Sequence, residues 1–315
     1  MSRSVGHLAR QTFLGILYAH SSRDELYQGT TRGLTRPSNK IGHYLEYARR
    51  FEYRELCSSP EALSLLDNKL RTKQVADLAR IPTTRLVGVS SLGRLWNVDS
   101  GTFAEIRRPT EFLQHVPASS SLLSKPINSR WGQGVQISSR DTLRQNATQA
   151  ASASPTMIEV REKSAFSRTF PGPVPTLRVM TYSPRSTTAA DVEVLGCVLR
   201  FGRQDAIVDN MSSGGAVFHV NRQTGMITGG IDANMQPTNI SAPARIPPDL
   251  IAEAISMSIS MHMRVPGLGS AGWDVGLTTR GPLLIEGNGD WGIELLQAVE
   301  KRSMRLTMRP ARRLP

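Results

Sequence analysis

Hydrophobic side chains in the first quarter of the chain recur every three or four residues, which is the spacing of one helix face. This spacing is clear over residues 41–51, and a second helical stretch begins at Ser59, whose hydroxyl can cap a helix N-terminus. That stretch ends before Pro82, because the residue preceding a proline disfavours the helical conformation. We therefore predict a helical N-terminal region over residues 1–85.

After residue 85 the pattern changes to short apolar and β-branched runs separated by glycine and proline, which predicts strands. The clearest runs are 85–89, 121–126, 157–160, 176–181, 192–201 and 213–217. The stretch between the first two runs is expected to be loop-rich, and a further helix is predicted from Pro247 to Met263.

The strongest strand pattern lies at 272–292, which reads GWDVGLTTRGPLLIEGNGDWG. Apolar and polar residues alternate on both sides of a turn signal at 279–281, so the segment is predicted to be a β-hairpin. We expect a three-residue loop that ends with Gly281 in the left-handed conformation, which pairs Thr278 with Pro282.

Counting back along the two strands places Asp274 opposite Glu286, with Asn288 one step further on the same face. Two carboxylates at cross-strand distance repel each other unless they lie in open water or around a cation. Oxygen ligands of this kind suit Mg²⁺, which takes one or two carboxylates and leaves its other positions to water and phosphate. The pattern alone leaves two interpretations open, a magnesium site and a solvated hairpin with incidental acids.

The charge of the chain favours anionic ligands, because 38 Lys and Arg against 26 Asp and Glu give a formal net charge of +12. Nucleotides, phosphorylated sugars, lipid head groups and nucleic acid all meet that condition. Nucleic acid is not expected, since the basic residues do not alternate with aromatic ones as in proteins that bind single strands.

Cellular context is suggested by what the sequence lacks. Cys57 and Cys197 are too far apart in sequence for a zinc-ligand spacing, and a reducing cytoplasm fits them best. No run of about 18 apolar residues predicts a membrane-spanning helix. Residues 1–23 are rich in Arg and Ser and resemble an organelle presequence, although an amphipathic first helix explains them as well.

A phosphate-binding arrangement is predicted where Lys125 ends a strand and a glycine-containing loop with Gly132 and Gly134 follows. Backbone amides approach a phosphate closely where side chains are absent, and an ammonium group neutralises its charge. A glycine pair of this kind also occurs in ordinary turns.

The hairpin motif resembles the C-terminal metal-binding hairpin of ATP-grasp enzymes, and most closely that of the sugar-transfer-associated ATP-grasp family. In that family the residues that match Asp274, Glu286 and Asn288 hold the magnesium ions that bridge the nucleotide phosphates. The stretch DNKLRTKQVADLARIPTT at 67–84 is similar to another motif of these proteins, in which the lysine that matches Lys69 reaches the phosphates of ATP.

The resemblance also implies roles for residues between these motifs. Lys125, Gly132 and Gly134 match the strand lysine and the mobile glycine-rich lid, although the bulky Trp131 departs from the usual lid. The segment Ile158, Glu159 and Val160 lies where the family binds adenine, with a loose match in residue type. Arg178, Arg200 and Asn210 match the substrate half, whose arginines face an acyl phosphate, and Arg203 is a weaker candidate for the same role.

The family implies a mixed α/β ATP-grasp fold. Its expected units are the helical region 1–85, a lid subdomain at 86–160, a catalytic subdomain at 161–300 and a basic tail at 301–315. The implied activity is an ATP-dependent, ADP-forming ligation of a carboxylate to an amine through an acyl phosphate, with ATP and Mg²⁺ as cofactors. The substrates are small molecules, an amino acid or an amino sugar among the candidates.

Two other functions remain open from the sequence. One is a phosphotransferase of the same fold that acts on a hydroxyl group. The other is a non-catalytic protein that holds a polyanion, against which the intact group of acids in the hairpin argues. No residue identifies the acceptor.

Overall fold

The computed structural model describes residues 57–92, 94–99, 102–106, 116, 120–129, 132–139, 155–183, 191–234, 236–240 and 244–300. The predicted helix at 41–51, the rest of the N-terminal region before Cys57, Trp131 and the basic tail lie outside these residues. No helix among the residues described is long and apolar enough to cross a membrane.

Two short helices form where one helical stretch is predicted. Helix α1 spans Pro60–Leu66, and its N-cap Ser59 accepts a hydrogen bond of 3.2 Å from the backbone amide of Ala62, as the sequence predicts. Helix α2 spans Lys69–Leu78 and is capped by Asn68. The side chain of Asn68 accepts a hydrogen bond from the backbone amide of Arg71, in the first turn of α2. Asn68 therefore starts a new helix, and α1 ends before it.

The first sheet is antiparallel, with strand order β3-β2-β1-β6-β4-β5. Its strands are β1 Leu86–Ser91, β2 Arg94–Asp99, β3 Thr102–Ile106, β4 Leu122–Pro126, β5 Gln136–Ser138 and β6 Thr156–Val160. The expectation of a loop-rich stretch after β1 is wrong for residues 94–99 and 102–106, which form the antiparallel strands β2 and β3.

The second sheet is also antiparallel, with strand order β11-β10-β9-β8-β7-β12-β13. Its strands are β7 Thr176–Tyr182, β8 Glu193–Phe201, β9 Ala216–Val220, β10 Ile227–Ile231, β11 Pro237–Thr238, β12 Ser270–Thr278 and β13 Gly281–Asn288. Between β8 and β9 the chain makes a 3₁₀ turn at Met211–Ser213. The described part of the chain is therefore a mixed α/β structure built on antiparallel sheets.

Helices cover both faces of the second sheet. Helix α3, Pro248–Met263, contributes Met257 and Met261 to the core cluster that contains Trp273. Helix α4, Ile293–Glu300, contributes Leu296 to a second cluster with Met180 on the same sheet. Burial of each such side chain stabilises the fold by about 1.5–3 kcal/mol, so the centre of this sheet is a rigid support.

The hairpin of β12 and β13 differs from the predicted one in its turn. Thr278 pairs with Gly281, so the loop contains two residues rather than three. Further along the hairpin a β-bulge at Ile285 adds one residue to β13, and Asp274 therefore lies opposite Glu286 as the register predicts. The predicted three-residue loop is wrong, but the predicted pairing of Asp274 with Glu286 is present. The shorter loop shifts the register by one residue, and the bulge shifts it back by one.

Backbone hydrogen bonds connect the two sheets at the tip of this hairpin. The amide of Ala165 donates to the carbonyl of Leu277 over 3.1 Å, and the amide of Thr279 donates to Lys163 over 2.9 Å. Residues 163–165 belong to the segment that follows β6, so they fix the end of the first sheet against the second.

Candidate active site

A cleft of about 940 Å³, part of it open to solvent, lies between the two sheets. Side chains of both halves line it. From the first half come Lys69, Lys125, Gly132, Glu159 and Val160, and from the second come Thr176, Asp209, Asn210, Asp274 and Glu286. A cleft between two structural units is a common position for a ligand site.

On the first-sheet side, two lysines surround one carboxylate, and we call Lys73, Lys125 and Glu159 the lysine cluster. The Nζ atom of Lys125 lies 2.7 Å from Glu159 Oε2, and that of Lys73 lies 3.9 Å from Glu159 Oε1. Lys73 also donates to the hydroxyl of Thr83 over 2.6 Å and to the carbonyl of Thr84. All three charged side chains are buried.

The pKa values of this cluster follow from burial and from its charges. Burial of Glu159 opposes ionisation, but Lys125 and Lys73 outweigh it, so the pKa of Glu159 is lowered. Burial also lowers the pKa of the Lys73 ammonium, against the attraction of Glu159. Lys73 was not among the residues predicted from the sequence. Its spacing of four residues from Lys69, which puts both on one side of helix α2, was the available signal.

On the second-sheet side, two arginines hold two carboxylates, and we call Arg178, Arg200, Asp209 and Asp274 the arginine cluster. Arg178 binds both oxygens of Asp274 through Nε and Nη2 at 2.6 Å each. Arg200 lies 3.0 Å from Asp274 through Nη1 and 3.4 Å from Asp209 through Nη2. One guanidinium therefore bridges both carboxylates.

The carboxylates of the arginine cluster are shifted in opposite directions. Burial would raise the pKa of Asp274, but Arg178 and Arg200 outweigh it and hold that pKa well below its usual range. Burial raises the pKa of Asp209, and the negative charge of Asp274 adds to that effect while Arg200 opposes it. Asp209 was not predicted as a site residue from the sequence, where only its neighbour Asn210 was a candidate.

The polar residues around the arginine cluster complete its hydrogen bonds. Thr176 donates from its hydroxyl to Asp209, and Arg200 donates to the side-chain oxygen of Asn210. The amide nitrogen of Asn288 lies 3.3 Å from Asp274 Oδ2 and 3.5 Å from Glu286 Oε1. The three hairpin residues predicted from the sequence therefore lie together.

Lys69 connects the two sides of the cleft. Its Nζ atom donates to the carbonyl of Ser129, next to the glycine-containing loop, and lies 3.6 Å from Glu286 Oε2. A lysine in this position can exchange its carboxylate partner for a phosphate oxygen without leaving the cleft.

Several predicted residues do not line the cleft directly. Ile158 is only 2% exposed and packs in the first-sheet core with Val87 and Leu122. Arg178, Arg200 and Asn288 stand behind Asp274 and Asn210, whose side chains they contact. Gly134 has a positive φ of 73°, and a Cβ there would lie 2.8 Å from Pro126 Cγ, so it shapes the loop.

Two backbone amides in or next to the segment predicted to bind adenine are hydrogen-bonded to neighbouring strands or loops. The amide of Val160 donates to the carbonyl of Arg85 over 2.9 Å, and the amide of Arg161 donates to Ser121 over 2.9 Å. The side chain of Glu159 points into the lysine cluster. Both amides are therefore already engaged in backbone hydrogen bonds, and the later residue Glu162 also lines the cleft.

The hairpin fits a magnesium ion that is carried on phosphates better than one held by protein ligands alone. No group of three His, Cys, Asp or Glu side chains that could hold a metal occurs in the part of the chain that the structure describes. Both oxygens of Asp274 accept hydrogen bonds from guanidinium groups, so a metal competes with two arginines for this carboxylate. Glu286 and the amide oxygen of Asn288 are the remaining hard donors, and Mg²⁺ commonly takes few protein ligands beside phosphates.

Comparison with known proteins gives a family match in the C-terminal half. A family model described as sugar-transfer associated ATP-grasp matches residues 154–310, which include both carboxylates of the hairpin. No curated protein matches the chain.

Three solved structures illustrate the fold-level similarity. D-alanyl-alanine synthetase A from Vibrio cholerae has 14% identity and a TM-score of 0.49, over 78% of this chain and 62% of that one. N5-carboxyaminoimidazole synthase from Aspergillus clavatus, in complex with ADP and 5-aminoimidazole ribonucleotide, has 15% identity and a TM-score of 0.46, over 74% and 46%. L-amino acid ligase from Bacillus licheniformis has 12% identity and a TM-score of 0.45, over 80% and 50%. The matches thus span about half to three fifths of those proteins.

Proposed function

We propose that this chain, which belongs to the ATP-grasp superfamily, is an ATP-dependent, ADP-forming ligase that joins a carboxylate to an amine. The observation that carries the proposal is the cleft itself, which has lysines on one side and a carboxylate hairpin backed by two arginines on the other. Substrates of this class are small molecules, with an amino acid or an amino sugar as candidates.

The first-sheet side suits the nucleotide. Lys125 and Lys69 both reach the cleft, and an ammonium group neutralises phosphate as a point charge. Gly132 lines the same cleft and has a positive φ of 71°, so its backbone can approach a phosphate without a side chain in between. Adenine is proposed to lie next to Val160 and Glu162.

The second-sheet side suits the carboxylate substrate and the transferred phosphoryl group. Arg200 and Asn210 form a hydrogen-bonded pair, and Asn210 faces the cleft. An acyl phosphate carries several negative charges, which Arg178 and Arg200 can stabilise. Both arginines become available for this role when Asp274 also binds a magnesium ion. A bound magnesium ion, with Asp274, Glu286 and Asn288 as the proposed ligands, would neutralise phosphate charge during transfer.

Catalysis of this kind consists of positioning and charge neutralisation. Phosphoryl transfer and acyl-phosphate formation need little covalent participation from the protein. The cleft has lysines on its first-sheet side and the polar side chains of Thr176 and Asn210 on the other. Two arginines stand directly behind that second side, which supports the proposal. Removal of a charge at the hairpin should therefore affect turnover more than folding.

The test compares wild type with Glu286→Gln, which preserves the shape of the side chain and removes its charge. Mg-ATP should raise the melting temperature of both proteins, since a ligand held by the native state stabilises it. ADP release with a pool of carboxylates and amines should fall by about 10²-fold or more in the variant. Unfolding free energies should differ by about 0.5 kcal/mol or less.

The matched control is Glu253→Gln on the exposed face of helix α3, which should keep wild-type turnover. Equal ADP release by wild type and Glu286→Gln would exclude the proposed role of the hairpin. Absence of a thermal shift at millimolar Mg-ATP in the folded protein would exclude the nucleotide site. A phosphorylated hydroxyl compound as the product, with no dependence on an amine, would indicate a phosphotransferase.

A further inference from the structure

A second cavity, of about 630 Å³ including its open mouth, adjoins the cleft. The two spaces share Gly132, Val135, Ile207 and Val208 as walls. The second cavity adds Arg203, Asp205 and Ser213, which belong to the loop between β8 and β9. Its position beside the glycine-containing loop makes it a candidate site for a second ligand.

The charged side chains that line this cavity are one base, Arg203, and one acid, Asp205, and they form an ion pair. Arg203 donates to both oxygens of Asp205, from Nε over 3.1 Å and from Nη2 over 2.9 Å. The side chains are 63% and 70% exposed. An exposed ion pair contributes only about 0–1 kcal/mol, so both charges are available to a ligand that can replace each partner.

The loop that carries the pair is closely packed, although the pair is exposed. A Cβ at Gly214, where φ is 82°, would lie 2.6 Å from Arg203 Cδ, so the arginine stem lies across this glycine. A Cβ at Gly202 or Gly215 would lie 2.5–2.9 Å from backbone oxygens of the same loop. Glycine is required at these contacts, and the backbone that carries the pair is therefore closely packed.

The ligand class follows from the two adjacent charges. A simple anion would be attracted by Arg203 but repelled by Asp205. A simple cation would be attracted by Asp205 but repelled by Arg203. A molecule with both charges close together satisfies both side chains. We propose that this cavity binds the zwitterionic head of a free α-amino acid, with its carboxylate on Arg203 and its ammonium group on Asp205.

The position of the cavity relative to the cleft makes this amino acid a substrate of the proposed ligase, so the inference rests on the proposed function. Gly132 is one of the walls that the two spaces share, and it packs closely there, since a Cβ at this position would lie 2.9 Å from Val208 and 2.5 Å from Asn210. An amino acid in the second cavity would therefore border the predicted phosphate loop directly.

The test measures binding directly, by calorimetry and thermal shift on the full chain with and without Mg-ADP. The probes are a mixture of the common L-amino acids, then L-alanine, propionate and ethylamine, of which the last two each lack one charge of alanine. We expect the amino acid mixture and alanine to bind, and propionate and ethylamine to bind at least about tenfold more weakly.

Arg203→Gln and Asp205→Asn should each reduce amino acid affinity by about tenfold or more and leave the Mg-ADP shift unchanged. The matched controls are Arg94→Gln and Glu105→Gln, because that pair is also exposed, at 62% and 43%, and lies on the first sheet at 3.6 Å. These controls should bind amino acids as wild type does.

Three results would overturn the proposal: no binding of any amino acid, equal binding of propionate and alanine, or unchanged binding in both variants. Each concerns the second cavity alone when the Mg-ADP shift is present. Loss of the nucleotide shift in wild type would instead contradict the proposed function, and the two failures are thus distinguishable.

Discussion

The two buried charge clusters on either side of the cleft differ in their balance of charge. The lysine cluster sets two ammonium groups against the single carboxylate of Glu159. The arginine cluster sets two guanidinium groups against the carboxylates of Asp209 and Asp274. When all groups are charged, the first cluster has one positive charge in excess and the second has none.

This difference implies different behaviour towards an anionic ligand. The lysine cluster can attract a phosphate without losing its internal pairing, because one cation remains after Glu159 is neutralised. The arginine cluster must exchange an internal partner for the ligand, and a metal that attracts Asp274 would free Arg178 and Arg200 for that exchange. The lysine cluster can therefore accept a phosphate without rearrangement, whereas the arginine cluster must first give up an internal ion pair.

The largest effect that would test this comparison is expected for Arg200→Met. The substitution keeps the length of the side chain but leaves Asp209 without its guanidinium partner and Asp274 with Arg178 alone. Removal of one partner from a buried ion pair costs about 3–5 kcal/mol. Urea unfolding should show a loss of this size in the free energy of unfolding.

The control for this prediction is Arg203→Met, since Arg203 is 63% exposed and its pair with Asp205 is worth about 0–1 kcal/mol. If Arg200→Met changed stability no more than this control, the charges of the arginine cluster would not depend on each other.

How far the sequence predicts this architecture is shown by the hairpin and by the lysines. Alternation and the turn signal identify β12 and β13, and they place Asp274 opposite Glu286. They do not predict the bulge at Ile285, because a bulge depends on how β13 packs against its neighbours. Periodicity also leaves the short strands β2 and β3 undetected, since each contains two adjacent apolar residues, Leu95 and Trp96 in β2 and Phe103 and Ala104 in β3, which break a strict two-residue alternation.

For the site, the family resemblance identifies residues by type and the fold decides which of them meet. Lys69, Lys125, Asn210 and Glu286 all reach the cleft. Lys73 and Asp209 escape sequence reasoning because their importance arises from contacts with residues distant in the chain, Glu159 and Arg200. The clamp of Asp274 by two arginines likewise depends on the pairing of β12 with β7 and of β7 with β8.

A second prediction uses a buried titratable group that has a neutral partner. His262 is fully buried on helix α3 and its Nδ1 lies 2.8 Å from the hydroxyl of Thr181, which also accepts a hydrogen bond from Trp273. Burial lowers the pKa of His262 from 6.5 to about 4. The unfolded chain therefore binds more protons than the folded one between these values, and stability falls as the pH decreases through that range.

The difference in pKa corresponds to a loss of about 3 kcal/mol at most between pH 6.5 and 4. In His262→Gln, which is neutral at every pH, urea unfolding should show a correspondingly weaker pH dependence in this window. An unchanged slope would mean that carboxylates alone, and not this histidine, determine the acid stability. Above pH 7 the pH dependence of the two proteins should be similar, because the histidine is then neutral in both states.

The smallest effect is expected for Lys125→Met in the lysine cluster. The substitution removes a charged hydrogen bond of 2.7 Å, but Glu159 keeps Lys73 at 3.9 Å and the remaining charges are balanced one to one. The loss in unfolding free energy should be about 1.5–3 kcal/mol, below that of Arg200→Met. Glu159→Gln should lower the free energy of unfolding more than Lys125→Met, because it leaves two buried ammonium groups without a carboxylate. In the arginine cluster, by contrast, the loss of the cation Arg200 should have the larger effect on stability. A stability order in which Lys125→Met exceeds both Glu159→Gln and Arg200→Met would show that the excess positive charge of the lysine cluster is absent, and with it the physical reason for placing the phosphates on that side.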